Sequence, residues 1–152
     1  MTSITPCLWF DGNGLEAAEF YVSLFPDSSI DSVSPGPDGS PLLVSFMLMG
    51  GPFQALNGGP MFQFTEAVSL VVPCESQAEV DRYWAALTEG GEESMCGWLK
   101  DRYGVSWQIV PTVLGEILGD PDPERAARAT EAMLKMRRLD IAALRAAANG
   151  TM

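Results

Sequence analysis

The chain has 152 residues, 47% of them hydrophobic, and carries a formal net charge of −11 with no histidine at all. That length supports one core of ordinary size and excludes two independent enzyme domains. The missing imidazole excludes Ser-His-Asp and Cys-His nucleophilic machinery, HExxH zinc sites and the facial triads of non-haem iron, so any acid–base chemistry must use carboxylates, Lys, Tyr or Cys.

In chain order, the run from Ile4 to Phe10 predicts a strand whose early Pro lies at an edge, broken by Asp11-Gly12-Asn13-Gly14. Leu15 to Phe25 places Leu15, Ala18, Tyr21, Val22 and Phe25 at helical spacing, with Pro26 as the stop. Ser28 to Ser34 alternates weakly, 35–41 is a turn, and Leu42 to Met49 and Pro52 to Asn57 read as two strands around Gly50-Gly51. After a glycine-rich and aromatic linker (58–66), a strand is expected at Ala67 to Val72. A helix at Gln77 to Leu87 and a weak strand at Glu92 to Met95 come next. The stretch CGWLKDRYGVSWQIVP (96–111) reads as a β-hairpin, Trp98 to Asp101 and Ser106 to Val110 flanking a turn that closes on Gly104. Ser106, Gln108 and Val110 point one way and Trp107 and Ile109 the other, so the Gln108 amide sits among apolar neighbours and needs partners or a ligand. Beyond Pro111 the pattern turns helical: a short turn at Thr112 to Leu118, a helix from Asp122-Pro123 to about Arg138 with basic residues in its last turn, and Ile141 to Ala148 capped by Asp140.

The two halves repeat one another. Thr5 pairs with Ser69, Phe20-Tyr21 with Tyr83-Trp84, and Phe53-Gln54 with Trp107-Gln108. Each half is therefore βαβββ, and neither buries its sheet alone. The expected organisation is paired modules over 1–111 (about 1–58 and 66–111) and a helical extension over 112–152, one structural domain overall. The stripe Met133, Met136, Leu139, Ile141 and Leu144 needs a hydrophobic surface, on the domain or on a second subunit.

Residues 1–110 hold 14 acidic against three basic side chains, Arg82, Lys100 and Arg102. Such a body disfavours nucleic acid and anionic membranes. No segment has the apolar length of a membrane span, and MTSITP lacks the regions of a signal peptide, so a cytoplasmic protein is expected. Cys7, Cys74 and Cys96 form no CxxC pair and are expected to be reduced.

TPCLWFDGNGLEAAEFYVSLFPDS, ALNGGPMFQFTEAVSLVVPCESQAEVDRYWAAL and CGWLKDRYGVSWQIVP, set in a duplicated βαβββ pattern, resemble the vicinal oxygen chelate superfamily of glyoxalases, bleomycin-resistance proteins and extradiol dioxygenases. Within it they resemble the PhnB-like branch, commonly labelled 3-demethylubiquinone-9 3-methyltransferase. The resemblance implies an α+β fold, two βαβββ modules forming a partly open eight-stranded barrel, with a cup on the concave side and the C-terminal helices appended. It also implies a homodimer and, in the superfamily's enzymes, a divalent metal held by the first and last strand of each module. Those positions fall on Gln54, Gln108, Ser69 and, where the turn at 11–14 shifts the register, the neighbourhood of Thr5. Four neutral oxygens hold a dication weakly, so no cofactor is expected and a weakly bound divalent metal is the alternative.

The expected function is binding of a small organic molecule in the cup by Gln54, Gln108, Ser69 and Thr5, with Trp9 and Trp98 as walls. The alternative is a metal-dependent lyase, isomerase or dioxygenase. The methyltransferase of the family label ranks third. Binding S-adenosylmethionine in its common fold takes a glycine-rich strand-to-helix loop, yet Gly50-Gly51 and Gly58-Gly59 flank strands and Gly90-Gly91 follows a helix. Cys96 would need Lys100 or a helix N-terminus to become a thiolate. Glu66 is the best free carboxylate for acid–base work, and Asp101 is expected to cap the hairpin turn or pair with a cation.

Overall fold

A computed structural model describes residues 2–151, which form two compact units that divide between Phe64 and Thr65. In the first, β1 (Cys7–Phe10) leads into α1 (Gly14–Leu24), then β2 (Ser29–Pro35), β3 (Pro41–Leu48) and β4 (Gly51–Asn57). The second repeats the order with β5 (Leu70–Cys74), α2 (Gln77–Thr88), β6 (Glu92–Glu93), β7 (Trp98–Lys100) and β8 (Ser106–Pro111). It then adds α3 (Leu114–Leu118), α4 (Pro123–Met133) and α5 (Ile141–Asn149). The strands pair as two four-stranded mixed sheets, β1-β4-β3-β2 and β5-β8-β7-β6. The fold is α+β, two βαβββ modules with C-terminal helices.

In each sheet the first strand runs parallel to the last, and the register matches: Cys7 lies opposite Gln54 and Val71 opposite Gln108. Counting back two residues from each places Thr5 and Ser69 at corresponding positions, the pairing that the repeated sequence predicts. Alternation then sorts the side chains. In the first unit Leu8, Phe10, Val44, Phe46 and Ala55 are buried on the side of Ala17, Ala18 and Tyr21 of α1. In the second, Val72, Cys74, Leu99, Trp107 and Ile109 are buried, as are Val80, Tyr83, Trp84 and Leu87 of α2. Gln54 and Gln108 fall on the opposite, open faces.

Three of the boundaries that differ from the sequence expectation have a clear physical cause. β1 begins at Cys7 instead of Ile4 because Pro6 has no N–H to give the ladder, although its carbonyl accepts from Gln54 N at 2.9 Å. β5 begins at Leu70, since Glu66 and Ala67 form a turn in which Thr65 Oγ1 accepts from Ala67 N. Helix α4 stops at Met133, not Arg138, so no basic residue occupies its last turn. The carbonyls of Met136 and Arg137 accept instead from Cys96 N (2.7 Å) and Gly97 N (2.8 Å). A tertiary backbone pairing thus takes the place of the next helical turn.

The C-terminal helices pack within the second unit. Leu144, Ala148, Ala129 and Ile117 form a buried cluster flanked by Met133, Met136 and Ile141, while Leu139 is fully buried. Gln77 pins the segment to α2: its Nε2 donates to Leu139 O at 3.0 Å and its Oε1 accepts from Ile141 N at 2.8 Å. The apolar stripe read from the sequence is therefore satisfied inside the chain.

Candidate functional site

The open face of the first sheet carries Cys7 and Trp9 from β1, Leu43 and Ser45 from β3, and Gln54 and Leu56 from β4, placed by the pairings Cys7–Gln54, Ser45–Gln54 and Trp9–Leu56. Gln54 is half-buried, and its amide makes no hydrogen bond among the described residues. Thr5 is half-buried ahead of β1. Trp9 is engaged by the linker that follows β4. Its Nε1 donates to Gly59 O at 2.8 Å, and Phe62 meets its ring edge-on at 4.8 Å. The indole also lies so close over Gly58 that a Cβ there would come within 2.3 Å of it. This close approach explains Gly58, while Gly59 takes a left-handed backbone (φ +96°), and Phe64 extends the linker's contacts by meeting Phe10 at 5.2 Å.

The open face of the second sheet carries Val71, Trp98, Lys100, Ser106, Gln108 and Val110, set by the pairings Val71–Gln108, Trp98–Gln108 and Lys100–Ser106. Gln108 Nε2 donates to Ser69 Oγ at 2.9 Å, which orients the amide and leaves its carbonyl oxygen without a hydrogen bond among the described residues. Gln108, Ser69 and Trp98 thus come together in one unit, while Gln54, Trp9 and Thr5 belong to the other. Glu66 is not the free carboxylate expected from the sequence, because it forms an ion pair with Lys100. The hydrogen bond from Lys100 holds the Glu66 carboxyl below its ordinary value, and the same bond raises the Lys100 ammonium above its own.

Ser106 was missed by the sequence reading as a site residue. It is 1% exposed, and its Oγ is buried without a hydrogen-bond partner among the described residues. Its signal was the alternation that put Ser106 beside Gln108, but only strand pairing sets Lys100 opposite it. Asp101, by contrast, caps the hairpin as expected: its carboxylate accepts from Tyr103 N, Val105 N and Trp107 Nε1 at 2.8, 3.0 and 2.9 Å.

The cysteines offer no activated thiol on these faces. Burial, aided by the Glu79 charge, pushes Cys74 up to about 11, and burial also raises Cys7. Cys96 holds a left-handed backbone (φ +59°) at the contact with 136–137, and Lys100 is committed to Glu66. Among the described residues no three His, Cys, Asp or Glu side chains come together as metal ligands. The residues at the first- and last-strand positions, Thr5, Gln54, Ser69 and Gln108, supply neutral oxygens alone, and Ser69 Oγ already accepts from Gln108. This donor set does not fit a tightly held dication.

A larger hollow of about 500 Å³ in the first unit is lined by Asp11, Asp38, Ser40 and Asn57 among others. Two of its polar side chains, Asp38 and Asn57, are occupied. Asp38 accepts from Ser40 N and Oγ, and Asn57 bridges Gly14 N to Pro41 O. The turn 11–14 is a glycine-containing strand-to-helix connection, which the double-glycine pairs were not. It opens α1 on a mixed sheet, and the N-terminus of that helix is taken by Asn57 Oδ1 at 2.8 Å, where a dinucleotide-type site would leave it for phosphate.

The duplicated βαβββ modules and their mixed sheets place the chain in the glyoxalase/bleomycin-resistance fold of the vicinal oxygen chelate superfamily. More narrowly, it belongs to the family described as 3-demethylubiquinone-9 3-methyltransferase, whose profile matches residues 2–110. The PhnB protein from Bacillus cereus, which carries the same methyltransferase description, is 35% identical, with 73% of this chain and 100% of that one covered at a TM-score of 0.69. Protein PA1353 from Pseudomonas aeruginosa shares the fold at 22% identity, with 73% and 98% covered and a TM-score of 0.62. The fosfomycin resistance protein FosX from Listeria monocytogenes, solved with Mn(II) and sulfate, does so at 14% identity, with 78% and 95% covered and a TM-score of 0.55. No curated protein sequence matches the chain. No helix of the described residues is long and apolar enough to cross a membrane.

Proposed function

We propose that this protein binds a small organic molecule on the open face of a sheet, through the Gln54 amide in the first unit or the Gln108 amide in the second, without a tightly held metal. The observation that carries this reading is the matched pair of half-buried amides at equivalent register positions, each with hydrogen-bonding capacity unused by the protein. A half-buried amide left unpaired costs free energy that a bound polar group recovers. Neutral ligands at the metal positions of the fold favour binding over metal-assisted lyase, isomerase or dioxygenase chemistry. The methyltransferase description belongs to the family, and the first glycine-bearing turn has its helix N-terminus occupied, which disfavours S-adenosylmethionine. A homodimer in the cytoplasm is the setting we infer from the family's habits.

The test is a ligand-observed NMR screen of neutral aromatic fragments against the full chain, with metal analysis of protein purified without chelator. Expected are fragments displaced onto neither helix face and weakened about tenfold by Gln108→Ala, the cost of one hydrogen bond in a desolvated site. Stoichiometric metal, micromolar binding of S-adenosylmethionine, or fragments indifferent to Gln54→Ala and Gln108→Ala would overturn the reading.

A further inference from the structure

Beside Gln108, on the same open face of the second sheet, lies a cleft of about 150 Å³ bounded by Glu66, Glu92, Glu93, Trp98, Lys100 and Ser106. It is too small for a whole ligand of ordinary size and suited to one headgroup. Ser106 enters it from β8, paired with Lys100 of β7. A buried hydroxyl with no partner is rare in a folded protein, because the desolvation cost of the oxygen goes uncompensated. The cleft therefore has a polar contact waiting for an occupant.

The charge around it selects the sign of that occupant. Two carboxylates, Glu66 and Glu92, share the face of Lys100, and that ammonium is already held by Glu66. Glu93, opposite Leu99 in the register, turns its carboxylate to the other face, where it accepts from Trp84 Nε1 at 2.9 Å and lies 3.7 Å from Arg137, while Glu92, opposite Lys100, has no ion pair among the described residues. An anion would have to take Lys100 from Glu66 and approach Glu92. A cation meets an excess of negative charge, the lone pairs of Ser106 Oγ and the half-buried indole of Trp98, whose face favours positive charge.

We propose that this cleft binds the ammonium headgroup of a small primary amine, with Ser106 Oγ accepting one of its N–H bonds and the rest of the molecule extending across Trp98 toward Gln108. The inference rests on the open-face reading above and names the chemical class of its ligand. Glu66 acts here as a selector, since by neutralising Lys100 it leaves Glu92 as the uncompensated charge of the cleft.

Three isosteric probes separate the possibilities: 2-phenylethylamine, 2-phenylethanol and phenylacetate, titrated into the full chain and followed by the Ser106 amide, the Trp98 indole and the Gln108 side-chain amide in two-dimensional NMR. The amine is expected to bind about fivefold or more tightly than the alcohol at low salt, with the ratio shrinking as salt is added. Phenylacetate should be the weakest. Ser106→Ala should weaken the amine about threefold or more with the Trp107 indole resonance unmoved. Glu66→Gln should lower the amine-to-alcohol ratio and strengthen phenylacetate, a reversal that no general loosening of the fold produces. Equal shifts by amine and alcohol at Gln108 would overturn the ammonium inference and leave the open-face reading standing. Preference for phenylacetate, or indifference of the amine to Ser106→Ala, would overturn it likewise. No shift from any probe at Gln108 or Ser106 would remove both.

Discussion

Asp101 is 3% exposed and meets three N–H donors, two from the turn it closes and one from the Trp107 indole at the foot of the sheet. A buried carboxylate is tolerable only because each of its oxygens has work of this kind. Asp101→Ala would remove the shared acceptor of all three donors. We expect a loss of about 3 kcal/mol or more in urea denaturation, with Asp101→Asn intermediate because one amide edge then faces a donor. At Glu66 the sign runs with acidity. Its carboxyl is held below the ordinary 4.5, so the ion pair with Lys100 is complete above that value and is lost as pH falls through the lowered one. An NMR titration should show this depression, and Lys100→Met should move Glu66 back toward the ordinary value. The pair itself was not legible in the sequence: residues 34 positions apart met only through the turn at 66–68. Asp101 was legible, because a short acidic side chain just ahead of a closing glycine has few other uses.

At the scale of elements, the β7–β8 hairpin is the best determined. Alternation predicts its two strands and their faces, and the pairing of Trp98 with Gln108 and Lys100 with Ser106 follows. Its entry at Cys96-Gly97 could not be read, since both residues take left-handed backbone to receive the segment 136–137. Gly97 (φ +83°) has Ile109 O only 2.9 Å from where a Cβ would stand, whereas Gly39 (φ +84°) has nothing within 4 Å. Gly39→Ala should therefore cost only the backbone term of about 1–2 kcal/mol. Gly97→Ala should exceed it measurably in the same thermal or urea unfolding experiment, and equal costs would contradict the close packing. The helix expected to run from Pro123 to Arg138 fails for a related reason: local propensity favoured its continuation, but carbonyls at 136 and 137 had tertiary donors to serve.

For the whole molecule, the duplication carried most of the fold. Phe53-Gln54 and Trp107-Gln108 announced equivalent last strands, and the observed register, with Thr5 and Ser69 in corresponding positions, follows from it. A period-two pattern with one buried face admits a single register, since a one-residue slip would turn Gln54 or Gln108 into the core. Composition alone removed histidine chemistry, and the acidic body set the charge that any ligand must meet. What needed tertiary structure was every contact between residues distant in sequence. Trp9, expected as a wall, is clasped by the linker at Gly58, Gly59 and Phe62. Glu66 is bound to Lys100. The C-terminal stripe is covered by its own unit, and Ser106 is left with a buried, unpartnered oxygen. Patterns of polarity determine which face a residue occupies, because burial repeats with the backbone. Which partner it finds there depends on loops and chain crossings whose geometry no local pattern encodes.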